Sequence, residues 1–154
     1  MPSIEQLIKQ TKFRDEKHKA IISILYTANA LNSFHEKYFS QYNLTSQQYN
    51  ALRILRGQHP KPATVNLIRE RMMDKMSDAS RIVERLRRAG FVERVVNKHD
   101  RRAVDVLITQ KGLDVLAEID ANDEKTDAPT KFLKEEEAKE LSRLLGKMID
   151  ALVE

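Results

Sequence analysis

The spacing of apolar residues in this 154-residue chain changes at Gly90, and that change limits the folds open to it more than any other feature. Before Gly90, Ala79, Ile82, Val83 and Leu86 fall at i, i+3, i+4 and i+7, the buried stripe of a helix. After it, Val92, Arg94 and Val96 alternate with Glu93 and Val95. Beyond a polar tip, Asn97 to Arg102, the segment Val104 to Ile108 alternates again, which predicts a β-hairpin. Ser77 is a suitable cap for the start of the helix, and Gly90 suits the left-handed residue that ends it. The face opposite the apolar stripe holds Asp78, Arg81, Glu84, Arg85 and Arg88.

Upstream, residues from Ile4 to about Gln41 read as one long helix or two in succession, with Ile21, Ile24, Leu25, Ala28, Leu31, Phe34 and Tyr38 at helical spacing. Thr45 or Ser46 can cap a further helix carrying Tyr49, Leu52 and Leu55, with Gly57 its natural stop. The run His59-Pro60-Lys61-Pro62 makes a rigid connector. Thr64 then caps a short helix reaching about Met72, followed by a turn. Downstream of the hairpin, Thr109 caps a helix with Leu113, Leu116 and Ala117, which fades into the polar run Asp120 to Pro129. A last helix from about Lys134 puts Ala138, Leu141, Leu145, Met148 and Leu152 on one stripe, with Leu144 and Ile149 beside it, a face wide enough to need a partner. The expected fold is mostly α (α+β) and forms a single domain.

Charge is distributed unevenly. From Arg69 to Arg102 there are 11 Lys and Arg against 6 Asp and Glu, whereas from Lys111 to Glu154 the count is 7 against 12. A basic middle beside an acidic C-terminal segment suits a polyanion-binding element attached to something that stays off the polyanion. The chain has no cysteine, which excludes disulfides, thiolate metal sites and thiol redox chemistry and fits the cytoplasm. The N-terminal stretch lacks the continuous apolar core of a signal peptide, and no stretch approaches the length of a membrane span.

Two short helices joined by a tight turn, then a hairpin with a cationic tip, is the order of a winged helix-turn-helix. A B-DNA major groove admits one helix, and Arg can donate two hydrogen bonds to guanine, so Arg81 and Arg85, one turn apart, are candidates for base contact. Ser77, Asp78 and Ser80 accompany them near the helix start. Thr64, Asn66 and Lys75 from the preceding helix and turn, and Arg94 from the first wing strand, complete the proximal candidates. At the wing tip, Lys98, Arg101 and Arg102 suit a narrow minor groove, which focuses negative potential. Asp100 is placed to pair with a neighbouring guanidinium and hold its rotamer.

The run from Ser77 to Gly112, SDASRIVERLRRAGFVERVVNKHDRRAVDVLITQKG, resembles the MarR-family signature: recognition helix, Gly turn, wing strand, Asp-x-Arg wing motif and Leu-Thr-x-x-Gly helix start, with Ile108 in place of the usual Leu. The turn Met73-Asp74-Lys75-Met76 departs from the common glycine-containing one. The resemblance implies a DNA-binding lobe over about 45–110 and a helical dimerisation base from about 4–42 and 111–154. It puts Arg102 in the minor groove with Asp100 as its buttress, and Ser80 and Arg81 on the base-reading face. It also implies a homodimer that reads a palindromic operator in double-stranded DNA, acting as a repressor released by a small-molecule effector. Tyr26, Phe34, Tyr38 and Tyr49 could line an effector crevice, although core packing explains them better.

Other chemistries fare poorly. His18, His35, His59 and His99 are too scattered for a metal site, and no thiolate can complete one, so neither a metal nor another cofactor is expected. Met72, Met73 and Met76 read as packing residues around the turn, and Glu135-Glu136-Glu137 as a first-turn run favouring a helix dipole. No nucleophile with a base and no tuned carboxylate pair points to an enzyme. The rival from another class is a winged helix used only for protein–protein contact. It would carry mixed charge where this chain is basic.

Overall fold

A computed structural model describes residues 2–97 and 104–153. The helices are α1 (Ile4–Ile8), α2 (Glu16–Ser40), α3 (Ser46–Gln58), α4 (Val65–Arg71), α5 (Ala79–Arg88), α6 (Gln110–Asp120), α7 (Asp123–Thr126) and α8 (Glu135–Val153), with a 3-10 turn at Ala128–Thr130. The strands are β1 (Ala63–Thr64), β2 (Val92–Val96) and β3 (Val104–Ile108). They form one antiparallel sheet in the order β1-β3-β2. Two compact units divide the chain, Met1–Leu116 and Ala117–Glu154.

In the first unit the N-terminal helical stretch is two helices. Lys9 takes a left-handed conformation after α1, and the Asp15 side chain restarts the chain as α2 by accepting from His18 N at 2.7 Å. Only Tyr38 and Phe39 of α2 are buried, and Ile21 and Leu25 of its apolar stripe stay exposed. Thr45 caps α3 in a reciprocal box with Gln48, whose backbone N–H and side chain bond back at 3.1 and 2.9 Å. Gly57 does not stop α3, which continues through Gln58 to a cap at His59; the prolines after it are the stronger terminator.

The core sits where α3, α4 and α5 meet the sheet. Leu52, Leu55, Ile68, Met72, Val83 and Leu86 are fully buried there, each worth roughly 1.5–3 kcal/mol against leaving it in water. The sequence stripe Ala79, Ile82, Val83 and Leu86 is the buried face of α5. Strand β1 is an element the sequence did not suggest. Ala63 pairs with Val106 and Thr64 with Asp105, which stitches the start of α4 to the wing.

Gly90, at φ +80°, ends α5 in the left-handed conformation expected of it. Gly112 is required by close approach: a Cβ there would overlap the Phe91 carbonyl oxygen and lie 2.6 Å from Ile108 Cγ1. The side chain of Thr109 caps α6 by accepting from Gly112 N at 3.2 Å, and its hydroxyl donates to Gly90 O at 2.7 Å. One residue thus ties the end of α5 to the start of α6.

The second unit holds α7 and the 3-10 turn within the polar run, then α8. Neither α7 nor α8 buries a residue. In α8, Leu141 is 45% exposed, Ile149 57% and Leu152 81%. No described helix is long and apolar enough to cross a membrane.

Candidate nucleic-acid interface

The outer face of α5 is built by burial of the inner one. With Ala79, Ile82, Val83 and Leu86 locked in the core, Ser80, Arg81 and Arg85 point to solvent. The cap differs from expectation. Asp78 Oδ1 accepts from Arg81 N at 3.0 Å, whereas Ser77, placed by its sequence as cap and outward contact, is buried with no hydrogen-bond partner for its hydroxyl among the described residues. Two adjacent good capping residues compete here, and packing of the turn against the core takes the serine inside. The Asp78 carboxylate is therefore already engaged with the helix start, where the dipole favours it.

The arginines fall into two groups. Arg81 and Arg85, one turn apart, have no ion pair or side-chain hydrogen bond among the described residues. Their charge is available to a ligand. On the flank, Glu84 collects three others: Arg87 bonds both its oxygens at 3.0 and 2.9 Å, Arg88 Nε donates at 3.0 Å, and Arg94 Nη2 from β2 lies 3.1 Å away. The hydrogen bonds from Arg87 and then Arg88 hold the Glu84 carboxyl down at about 2, and Arg87 is raised in turn. Arg94, a sequence candidate for nucleic-acid contact, is thus tethered to α5 through Glu84.

The remaining candidates occupy the start of α4 and the turn. Thr64 Oγ1 accepts from Leu67 N at 3.1 Å, so this hydroxyl is the α4 cap. Asn66 Oδ1 accepts from Arg69 Nη1 at 2.9 Å on the exposed face, and Lys75 Nζ donates to Glu70 O at 2.5 Å across the turn. Lys98, Asp100, Arg101 and Arg102 lie outside the described residues. At the foot of the wing, Asn97 Nδ2 donates to both oxygens of the buried Asp105 at 3.1 Å each. This pair was not among the sequence candidates. In the sequence Asp105 takes the polar place in the alternation of β3, so nothing there marks it as buried.

A convex helix face with two unengaged guanidiniums, flanked by a β-ribbon, offers bidentate donors to a flat polar edge such as a base pair. The described residues contain no group of three or more His, Asp or Glu able to hold a metal.

Residues 42–103 match the sequence model of the MarR family. The HTH-type transcriptional regulator MgrA of Staphylococcus aureus is 28% identical over 139 residues, covering 90% of this chain and 92% of the relative. Among solved structures, a MarR-like transcription regulator from Bacillus cereus superposes with TM-score 0.77 at 21% identity, covering 89% of this chain and 98% of its own. The MepR–DNA complex of S. aureus superposes with TM-score 0.71 at 21% identity over 85% and 94%. At that identity both structures bear on the fold alone.

Proposed function

We propose that the chain is a transcription regulator of the MarR family, reading double-stranded DNA with α5 in the major groove and the wing in the flanking minor groove. One observation carries the assignment: Arg81 and Arg85 stand one turn apart, exposed and without a side-chain partner among the described residues, on a helix whose other face is fixed in the core. The relatives named MgrA are transcriptional regulators. Those relatives weigh against a winged helix serving protein contacts alone.

Arg81 and Arg85 read bases, and Ser80 supports them. Asn66, Lys75 and the exposed backbone at the start of α4 sit nearer the phosphates, where they fix register without reading sequence. Arg102, buttressed by Asp100 and accompanied by Lys98 and Arg101, enters the minor groove. The regulator works as a homodimer through the exposed apolar face of α8 and the uncovered stripe of α2, which sets two reading helices roughly 34–36 Å apart on an inverted repeat. It represses, and a small molecule releases it by binding more tightly to a conformation with other helix spacing. Of the aromatic residues near such a crevice, Tyr38 is buried and Tyr49 stacks on Phe39 at 4.1 Å, so their packing role is firmer than any ligand contact.

Selection from a random duplex library at two salt concentrations tests the assignment. A palindrome with half-sites about 10 bp apart, bound more weakly at high salt, is the expected outcome. Recovery of no motif at either salt would refute it.

A further inference from the structure

The turn from Met72 to Asp78 contains no glycine, yet it determines the direction in which α5 leaves α4. Its shape is imposed from α3. Asp74 uses both carboxylate oxygens, Oδ1 accepting from Met76 N at 2.9 Å and Oδ2 from Gln47 Nε2 at 3.0 Å, and its carbonyl accepts from Ser77 N at 3.1 Å. One residue earlier, Met73 N donates to Asn50 Oδ1 at 2.9 Å. Gln47 and Asn50 are three residues apart on α3, so one helix face grips two successive residues of the turn, Met73 and Asp74. That helix is itself anchored on α2, with Ser46 N donating to Glu36 Oε1 at 3.0 Å and Tyr49 stacked on Phe39.

Asp74, Gln47 and Met73 are exposed, and Asn50 is half-buried, so these bonds add little to the core and act on the geometry of the turn. A carboxylate four residues before the α5 cap also costs attraction to phosphate, because like charges repel along this face. Its two hydrogen bonds, one to the turn and one to α3, offset that cost by fixing where α5 starts.

We propose that Asp74, gripped by Gln47 of α3, is the positioning residue that aims α5, and with it Arg81 and Arg85, at the base pairs. The inference rests on the DNA-reading assignment above and names what makes that reading specific. A misaimed helix keeps its charge and still attracts any duplex. It loses bidentate alignment, so the ratio of affinities for a selected duplex over a scrambled one falls while binding to the scrambled duplex holds.

The experiment measures that ratio by fluorescence anisotropy for wild type, Gln47→Ala, Asp74→Ala, the double variant and Asp74→Asn, with amide exchange of Met76 and Ser77 followed in each. In Asp74→Ala the ratio should drop about tenfold and exchange quicken about fivefold. Gln47→Ala should move both the same way, and the double variant should be no worse than Asp74→Ala, because the two side chains share one contact. Asp74→Asn offers an oxygen to Met76 N and an amide N–H to a turned-over Gln47, so it should keep the ratio and bind both duplexes more tightly at low salt. Equal weakening toward both duplexes in Asp74→Ala, or loss of the ratio in Asp74→Asn, would overturn the proposal. A wild type that selects no duplex would remove the DNA-reading assignment, and the exchange rates would still judge the grip.

Discussion

Helices α5 and α8 are both amphipathic, and their fates in the fold are opposite. Ten-residue α5 buries four apolar side chains against α3, α4 and the sheet, whereas nineteen-residue α8 buries none and leaves Leu141, Leu144, Met148, Ile149 and Leu152 exposed. The same periodicity therefore means two things. In α5 it records apolar residues packed into the core, and in α8 a stripe whose apolar residues stay exposed. The covered helix holds its outer face rigid for reading. The exposed one is the surface through which the proposed homodimer forms.

The largest effect is expected at α8. The paired substitutions Leu141→Glu and Met148→Glu, seven residues apart on the exposed stripe, should shift the mass in sedimentation from twice 17.9 kDa to one chain. DNA affinity should fall about 10²- to 10⁴-fold as two-point attachment is lost, with the folded content of each chain unchanged. A dimer that survives both charges would remove α8 from the assembly.

Next in size is the covered side. Leu86→Ala, at a fully buried position of α5, should cost about 2–5 kcal/mol in urea denaturation. Leu152→Ala on α8, 81% exposed, should cost little in a single chain. Smaller again is Arg81→Ala, expected to weaken binding to the selected duplex by about 1–3 kcal/mol and relax preference at one position per half-site, with thermal stability unchanged. An unaltered motif would show that another face of α5 reads.

The smallest effect concerns acid. Glu84 of α5 is held at about 2 by Arg87 and Arg88, and Glu140 of α8 is lowered by Arg143. A carboxylate with a lowered folded value stabilises the fold fully above the ordinary 4.5 and loses that contribution as pH falls toward 2. Denaturation midpoints should fall across that window in wild type and less in Glu84→Gln. Both groups are exposed, so the change should be slight and shrink in salt.

Much of the lobe was legible because its signals are local. The stripe of α5, the left-handed Gly90, the caps at Thr45, Thr64 and Thr109 and the hairpin strands all follow from residues within one turn or one strand. What escaped depends on distant partners. Strand β1 is two residues long and exists only through β3, and the choice of Asp78 over Ser77 as cap is made by burial of the turn. Among the site residues, the difference between Arg81, without a side-chain partner among the described residues, and tethered Arg94 is invisible in a count of cations, because it is set by Glu84 of α5 reaching Arg94 of β2. The grip of α3 on Asp74 joins residues 27 apart, beyond any periodic pattern.

The tight seat of Gly112 bears on how freely this chain can drift. At positions 57 and 146 an added Cβ meets nothing within 4 Å, so a randomised library passed through a functional screen should return residues other than glycine there. At 112 the space is filled by the Phe91 carbonyl and Ile108, and backbone cannot step aside. Survivors of such a screen should carry glycine at that codon almost without exception.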